Sequence, residues 1–144
     1  MNVITKYPAC KIYHNANQSI ANSVATGLQF DSEVFKTDNM HSASSNISRI
    51  TINTAGVYQI IANVGFDANS TGYRIIEFRV NGATSIPGVI ANAISSPGIG
   101  TNIAAATLYK FNAGDFFEIF VQQNSGSDLN VISANTYAMA VKVG

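Results

Sequence analysis

The fold is constrained most by short runs in which every second residue is apolar, separated by turn-forming residues. The clearest run spans residues 57–66, and its alternate side chains form a wholly apolar face: Tyr58, Ile60, Ala62, Val64 and Phe66. Successive side chains of a β-strand point to opposite faces of its sheet, so this pattern predicts a strand with one buried face. No segment shows sustained helical periodicity, and the chain is therefore predicted to be all-β.

Four more strands follow from the same alternation. They are predicted at residues 73–80, 103–111, 116–122 and 136–143. Asn81-Gly82 is a strong signal for a tight hairpin turn, and Gly114-Asp115 marks another turn. The stretch 83–100 is predicted to be a long, partly stranded connection. With the shorter runs, the chain has about eight to ten strands in one domain, which is typical of a jelly roll or Greek-key sandwich.

The surface is predicted to be neutral and rich in hydrogen-bonding groups. Only 11% of the residues are charged and the formal net charge is zero, whereas ordinary soluble domains carry roughly 25% charged residues. A chain without a basic stripe is not expected to bind nucleic acid. No apolar stretch approaches the roughly 20 residues of a membrane helix, so no membrane partner is expected. The lone Cys10 and the lack of a visible secretory signal predict synthesis in a reducing cytoplasm.

Six motifs occur in an order that resembles one known family. They are PAC at 8–10, LQFDSEVFKTDN at 28–39, SRITINTAGVYQIIANVGF at 48–66, EFRVNG at 77–82, LYKFNAGDFFEIFVQQNSG at 108–126 and NTYAMAVKV at 135–143. This order resembles the jelly-roll family of tumour necrosis factor and the globular heads of complement's first component. In that family a Gly-Tyr pair opens a central strand, a Gly-Asp turn opens a late strand and an aromatic residue begins the last strand. The matching residues here are Gly56-Val57-Tyr58, Gly114-Asp115 and Tyr137.

The resemblance implies a ten-strand antiparallel jelly-roll sandwich that assembles as a homotrimer. It covers nearly the whole chain, so we expect one jelly-roll domain at residues 9–144, preceded by an N-terminal arm at residues 1–8. The stretch FDSEVFKTDNMHS at 30–42 and the surface rich in Asn, Ser and Thr, with few cysteines, resemble bacterial and bacteriophage members more than animal ones.

Two predicted strands carry apolar residues on both faces. Val57 and Ile61 lie opposite the buried face of their strand, and Phe116 and Phe120 lie opposite the buried face of theirs. A sheet face that meets water is ordinarily polar, so these side chains are expected to be covered. We therefore expect them to form the trimer interface. The alternative is that loops of the same chain cover them.

Acidic residues and a histidine are dense between residues 31 and 41. The candidate metal ligands are Asp31, Glu33, Asp38 and His41. Calcium takes oxygen ligands and is the cation that such a set would suit, and some members of the resembled family bind it. The spacing matches no calcium-loop template, however, and the alternative is a solvated loop with local side-chain turns. No other cofactor is expected.

No constellation of residues predicts catalysis. Cys10 and His14 are four residues apart on a predicted strand, a separation of about 13 Å that forbids a hydrogen bond. Cys10 is instead predicted to be a small core residue. Glu77 and Arg79 are expected to form a surface or cross-strand ion pair. Since nucleophile elbows, phosphate loops and zinc-ligand spacings are also missing from the sequence, we expect a protein that is not an enzyme.

These features together predict a structural protein of a virus particle. The first hypothesis is a bacteriophage capsid decoration (cement) protein, a trimer that binds the major capsid protein or another virion protein at threefold positions of the shell. It would be made in the host cytoplasm and lie on the virion surface. The alternative is the receptor-binding tip of a tail or head fibre. Such a tip would recognise a host surface glycan or protein through the loops at 31–46 and 83–100.

The segment before the predicted domain is a candidate capsid-binding arm. Val3, Ile4 and Tyr7 are apolar anchors in it, and its β-branched residues favour an extended backbone. An extended arm can add a strand to the edge of a neighbour's sheet. The alternative is that these residues begin the domain's own sheet.

Overall fold

The computed structural model describes residues 7–87 and 91–144, and within these residues it contains thirteen β-strands and one 3-10 helix. The strands are β1 (Ala9–Tyr13), β2 (Gln18–Ile20), β3 (Thr26–Gly27), β4 (Ser32–Lys36), β5 (Arg49–Thr51), β6 (Gly56–Phe66), β7 (Asn69–Val80), β8 (Thr84–Ser85), β9 (Ala91–Ser96), β10 (Thr101–Phe111), β11 (Phe116–Gln123), β12 (Leu129–Val131) and β13 (Tyr137–Lys142). The 3-10 helix spans Ser133–Asn135 and leads directly into β13.

The strands form two antiparallel sheets. The first sheet follows the order β2–β12–β6–β13–β1–β4, and β10 also pairs with β6. The second sheet follows the order β3–β11–β7–β8, with β5 also pairing with β11 and β9 with β7. Strand β6 pairs along its whole length with β10, and along its other side with β13. This arrangement confirms the prediction of an all-β antiparallel sandwich.

The core lies between the two sheets and is built from the alternating apolar faces of the strands. All five residues of the predicted buried face of β6 are inaccessible to solvent: Tyr58, Ile60, Ala62, Val64 and Phe66. Aromatic rings connect the sheets, since Phe111 of the first sheet stacks on Phe117 of the second at a centroid distance of 5.6 Å. Such pairs contribute about 0.5–1.5 kcal/mol beyond the area that they bury.

Short strands explain why the count exceeds the expected ten. Strands β3 and β8 have two residues each, too few to show any alternation. Strand β3 pairs with β11, which is distant in sequence, whereas β8 pairs with the adjacent β7 across the Asn81-Gly82 turn. The predicted connection at 83–100 contains β8 and β9, while residues 88–90 lie outside the described residues. Most of the predicted N-terminal arm, residues 1–6, lies outside them as well.

Two turns sit side by side at one end of the second sheet. Asn81 and Gly82 have φ values of 53° and 84°, which is the backbone that the Asn-Gly hairpin signal predicts. Gly114 has a φ of 96°, in a region that a side chain disfavours. The Asp115 carboxylate accepts hydrogen bonds from the backbone N–H of Asn112 at 2.8 Å and from the Asn81 amide at 3.0 Å. The Gly-Asp pair is therefore a structural turn that is tied to its neighbour.

Candidate functional site

Apolar residues of three adjacent strands meet on the outer face of the first sheet, which also carries Gln59 and Lys110. In the register of the sheet, Ile61 of β6 lies between Ala106 of β10 and Met139 of β13. Val57 continues the same face of β6, and Leu108 continues that of β10 and is 61% exposed. We call the surface formed by Val57, Ile61, Ala106, Leu108 and Met139 the apolar face. The two predicted interface residues of β6 therefore belong to a larger patch, whose members on β10 and β13 were not predicted.

A second apolar surface lies at the side of the sandwich, where β9 ends and β10 begins. Ile94 on β9 is 85% exposed and Ile99 in the following turn is 72% exposed. We call these two residues the apolar edge. Among the large hydrophobic side chains of the described residues, these two are the most exposed.

Phe116 and Phe120 lie on the second sheet, away from the apolar face. The guanidinium of Arg49 lies 4.0 Å from the centroid of the Phe116 ring, and that of Arg79 lies 4.0 Å from the centroid of Phe120. Gly27 also approaches the Phe120 ring. The same chain thus covers both rings in part, through residues of β3, β5 and β7 and not through the loops that the alternative expected. The four predicted interface residues occupy two sheets and do not form one surface.

Glu77 and Arg79 form the ion pair that their spacing predicted. The Arg79 Nε donates to Glu77 Oε1 at 2.6 Å, and the Ser85 hydroxyl donates to Glu77 Oε2 at 2.7 Å. Both carboxylate oxygens are therefore engaged, and the network fixes the arginine above Phe120.

The candidate metal ligands separate into three places. Only Glu33 and His41 meet, with 2.9 Å between Oε1 and Nδ1. Asp31 accepts the backbone N–H of Asn15, and Asp38 accepts the hydroxyl of Thr54. Within residues 7–87 and 91–144, no three His, Cys, Asp or Glu side chains are arranged to hold a metal ion.

Glu33 and His41 instead fix the loop that follows β4. The imidazole of His41 is buried, with Nδ1 beside Glu33 and Nε2 at 3.0 Å from the carbonyl oxygen of Ile47. Burial raises the pKa of Glu33, but hydrogen bonds from His41 and Lys36 outweigh it and hold this pKa below its ordinary value. The carboxylate is therefore ionised at neutral pH.

Cys10 and His14 are both buried and have structural surroundings. Cys10 is 1% exposed, and burial raises the pKa of its thiol to about 12, so it is an inert core residue as predicted. Burial also lowers the pKa of His14, whose ring packs edge-on against Phe30. The His14 Nε2 has no hydrogen-bond partner among the described residues.

The candidate arm is described only at its last residues. Tyr7 is 69% exposed, and its carbonyl oxygen accepts a hydrogen bond from the Thr37 hydroxyl at 2.7 Å. Val3 and Ile4 lie outside the described residues. The chain therefore enters the domain beside the end of β4, an edge strand of the first sheet.

No protein-family model matches the chain. It is 34% identical over 102 residues to an uncharacterized protein of Acanthamoeba polyphaga mimivirus, a match that covers 67% of this chain and 42% of the viral protein. The chain thus spans less than half the length of that relative. None of the helices in the described part of the chain is long and apolar enough to cross a membrane.

Solved structures share the fold at low sequence identity. The globular domain of zebrafish complement 1qA protein matches with a TM-score of 0.68 and 12% identity, over 96% of this chain and 98% of that one. Murine APRIL at pH 5.0 matches with a TM-score of 0.64 and 15% identity, over 96% of this chain and 100% of that one. The chain therefore has the jelly-roll fold of the tumour necrosis factor and complement globular-head proteins.

Proposed function

We propose that this protein is a non-enzymatic homotrimer that decorates the surface of a virus particle by binding its capsid shell. The observation that carries the proposal is the presence of two separate apolar surfaces on one domain, the apolar face and the apolar edge. Contact between copies of the chain would remove both surfaces from water, which lowers the free energy of the assembly.

The two surfaces favour a closed ring over a twofold dimer. An isologous dimer buries the same patch from both subunits, whereas a ring places one patch of each subunit against a different patch of the next. Ile94 and Ile99 are strongly exposed on β9 and in the turn after it, and Val57 and Ile61 are half-buried on the outer face of the first sheet. A contact between the apolar edge of one subunit and the apolar face of the next can repeat around an axis, and the ring that we propose has three subunits.

A virus particle is supported by the similarity to a mimivirus protein. The relative belongs to a giant virus of an amoeba, so the narrower expectation of a bacteriophage remains a prediction. The neutral surface, with 11% charged residues, suits a protein that packs against other protein. The proposal that the protein is not an enzyme is supported by its fold, which it shares with a complement globular domain and with APRIL.

Binding to the shell would use surfaces that a trimer presents three times. In this proposal the segment before Tyr7, which joins the domain beside the edge strand β4, contacts a neighbouring capsid subunit, and three such arms raise the effective concentration of each. Val3, Ile4 and Tyr7 remain the proposed anchors. The partner would be the major capsid protein or another protein of the virion.

The trimer is tested by light scattering of matched variants. We expect a mass three times the 15.3 kDa of one chain. Ile61→Asp places a charge in the proposed interface and should give monomers, because an unpaired buried carboxylate is costly. Ile75→Asp is the control, since Ile75 is similarly half-buried on the outer face of the second sheet and should leave the trimer intact. A parent protein that scatters only as a monomer contradicts the trimer.

Shell binding is tested by mixing the trimer with undecorated shells and measuring occupancy after sedimentation. Deletion of residues 2–7 should reduce occupancy while leaving the trimer mass unchanged. Full occupancy by the deleted protein contradicts the arm. If the trimer binds host cells and not shells, the receptor-binding alternative replaces decoration.

A further inference from the structure

A polar cleft lies between the loop after β4 and strand β5. Its volume is about 300 Å³, near the lower limit for small-molecule pockets. The lining residues carry amides, hydroxyls and one guanidinium: Asn39, Met40, His41, Ser42, Ser45, Asn46, Arg49, Thr51 and Asn53. No carboxylate is among these lining residues. We call this pocket the Arg49 cleft.

The guanidinium of Arg49 is held in place but is not paired. It lies 4.0 Å from the ring centroid of Phe116, which fixes its plane. Within the described residues it forms neither a salt bridge nor a side-chain hydrogen bond. Glu118 lies opposite Arg49 in the sheet, but its Oε2 accepts the hydroxyl of Ser48 at 2.6 Å. Stacking leaves the edges of a guanidinium free, so its N–H donors remain available to a ligand.

Arg79 is also stacked on an aromatic ring, but its guanidinium has a carboxylate partner. It stacks on Phe120 at the same 4.0 Å, but its guanidinium is bound to Glu77. The two arginines lie on the same face of the second sheet, each on an aromatic ring, and they differ in having or lacking a carboxylate partner. Glu77 of the same chain thus neutralises Arg79, whereas Arg49 has no carboxylate partner among the described residues.

The walls of the Arg49 cleft are fixed by bonds to the rest of the protein. The Asn53 amide donates to the carbonyl oxygens of Asp38 and Asn39 at 2.8 and 3.3 Å. The backbone N–H of Thr51 donates to the carbonyl oxygen of Met40 at 2.7 Å, and the Met40 side chain is fully buried. With His41 anchored by Glu33, the cleft is formed before any ligand arrives, which lowers the entropy cost of binding.

We propose that the Arg49 cleft binds a sugar unit that carries one carboxylate group, such as a uronic acid. A guanidinium edge presents two parallel N–H donors that match the two oxygens of a carboxylate. Arg49 is the one Lys or Arg among the lining residues, and His41 is already paired with Glu33, so one free cation balances one negative charge. The hydroxyls of Ser42, Ser45 and Thr51 and the amide oxygen of Asn53 are suited to the hydroxyl groups of a sugar ring, which donate and accept.

This inference goes beyond shell binding and does not depend on it. The loop at 31–46, one of the two expected to recognise a host glycan in the receptor-binding alternative, contributes most of the lining of the Arg49 cleft. A trimer would present three such clefts, so an acidic polysaccharide with repeated uronic acid units would gain from multivalency.

The test is calorimetric titration of the intact protein with glucuronic acid, glucose and acetate. Glucuronic acid should bind at least about tenfold more tightly than either of the others, because only it combines the ring with the charge. Equal binding of glucose would show that the charge is not recognised, and equal binding of acetate would show that the ring is not. Either result, or no binding of glucuronic acid, overturns the proposal.

Arg49→Gln should lower the affinity for glucuronic acid at least about tenfold, whereas Arg79→Gln, the matched control, should leave it unchanged. Ser45→Asp is a second variant at an exposed position and should repel the carboxylate without affecting the fold. All three variants should keep the oligomeric mass and the shell binding of the parent. Retained affinity in Arg49→Gln and Ser45→Asp, or an equal loss in Arg79→Gln, contradicts the proposed site.

Discussion

Single side chains fix the two turns that end the second sheet. Asn81 donates through its amide to Asp115 and accepts the backbone N–H of Phe116 at 3.1 Å. Its positive φ and the positive φ of Gly114 mean that both turns use backbone that most residues avoid. The side-chain link therefore connects two turns with positive φ, and each turn helps to hold the other.

The link predicts a measurable coupling. Asn81→Gly keeps the backbone of the turn but removes the amide, and Asp115→Ala removes the carboxylate. In a double-mutant cycle measured by urea denaturation, we expect a coupling free energy of about 1 kcal/mol. Strictly additive effects of the two substitutions would show that the hydrogen bond between these side chains does not contribute to stability.

Gly114→Ala tests the backbone strain separately. The space around Gly114 is open, so a β-carbon meets no other atom and any loss comes from the positive φ alone. We expect the free energy of unfolding to fall by about 1 kcal/mol. Ala113→Ser, at the exposed preceding residue, is the control and should change the free energy by much less.

The Glu33–His41 contact predicts a dependence of stability on pH. The folded pKa of Glu33 is lower than its ordinary value of 4.5, so the group stabilises the fold fully above that value. This contribution is lost as the pH falls from 4.5 through the folded pKa. The melting temperature of the parent should therefore drop more steeply in this range than that of Glu33→Gln. Parallel curves for the two proteins would contradict this role of Glu33.

At the scale of the element, long strands and tight turns could be predicted from the sequence, and very short strands could not. The long strands β6, β7, β10, β11 and β13 were predictable because each alternates over at least six residues. The turns at Asn81 and Gly114 were predictable because their chemistry is local. Strand β3 was not, since its two residues pair with Phe120 and Val121, almost a hundred positions away. Pairing across such distances is set by tertiary contacts and leaves no local pattern.

The apolar face was likewise predictable only in the part that depends on alternation within one strand. The alternation in β6 revealed Val57 and Ile61 as outward-facing apolar residues. It did not reveal which strands flank them, so Met139 and Leu108 were missed. Nor did it reveal that Arg49, 67 positions before Phe116, lies over the ring of that residue, because no local signal places the two together. Register between distant strands is the information that the sequence patterns lack.

The stacked pair on β11 allows a test at the scale of the element. Phe120→Leu keeps an apolar side chain but removes the aromatic face under Arg79. We expect it to lower the free energy of unfolding by about 0.5–1 kcal/mol, the range for a partly exposed cation–π contact. The oligomeric mass should not change, because the parent ring is covered by its own chain. Loss of the trimer in this variant would return Phe120 to the subunit interface.

At the scale of the whole molecule, distant parts of the chain meet in the first sheet. Strand β13 lies between β6 and β1, and it pairs with five residues of β1 and six of β6. Its inward residues Ala138 and Ala140 are buried in the core. Among the described residues, β13 is the strand through which β1 and β4 are hydrogen-bonded to the rest of the first sheet.

Truncation after Thr136 should therefore abolish the fold. It removes β13 and splits the first sheet, so we expect a circular dichroism spectrum without β structure and no cooperative melting transition. Truncation after Lys142 is the control. It removes only Val143 and Gly144, which bond to Val57, and should leave a folded protein with a modestly lower melting temperature. A folded product of the shorter chain would show that β6 and β10 suffice to organise the core.

The central place of β13 also sets the order of events during synthesis. A ribosome delivers β1 first and β13 more than a hundred residues later, so β1 has no hydrogen-bonding neighbour toward β6 until residues 137–142 have emerged. During that interval β6 shows an unpaired side, with Ile60 and Ile61 on its two faces, to every other nascent chain nearby. Polysomes making this protein at high density therefore carry many copies of one open strand. Chaperones that shield apolar nascent segments should raise its yield more than they raise its final stability.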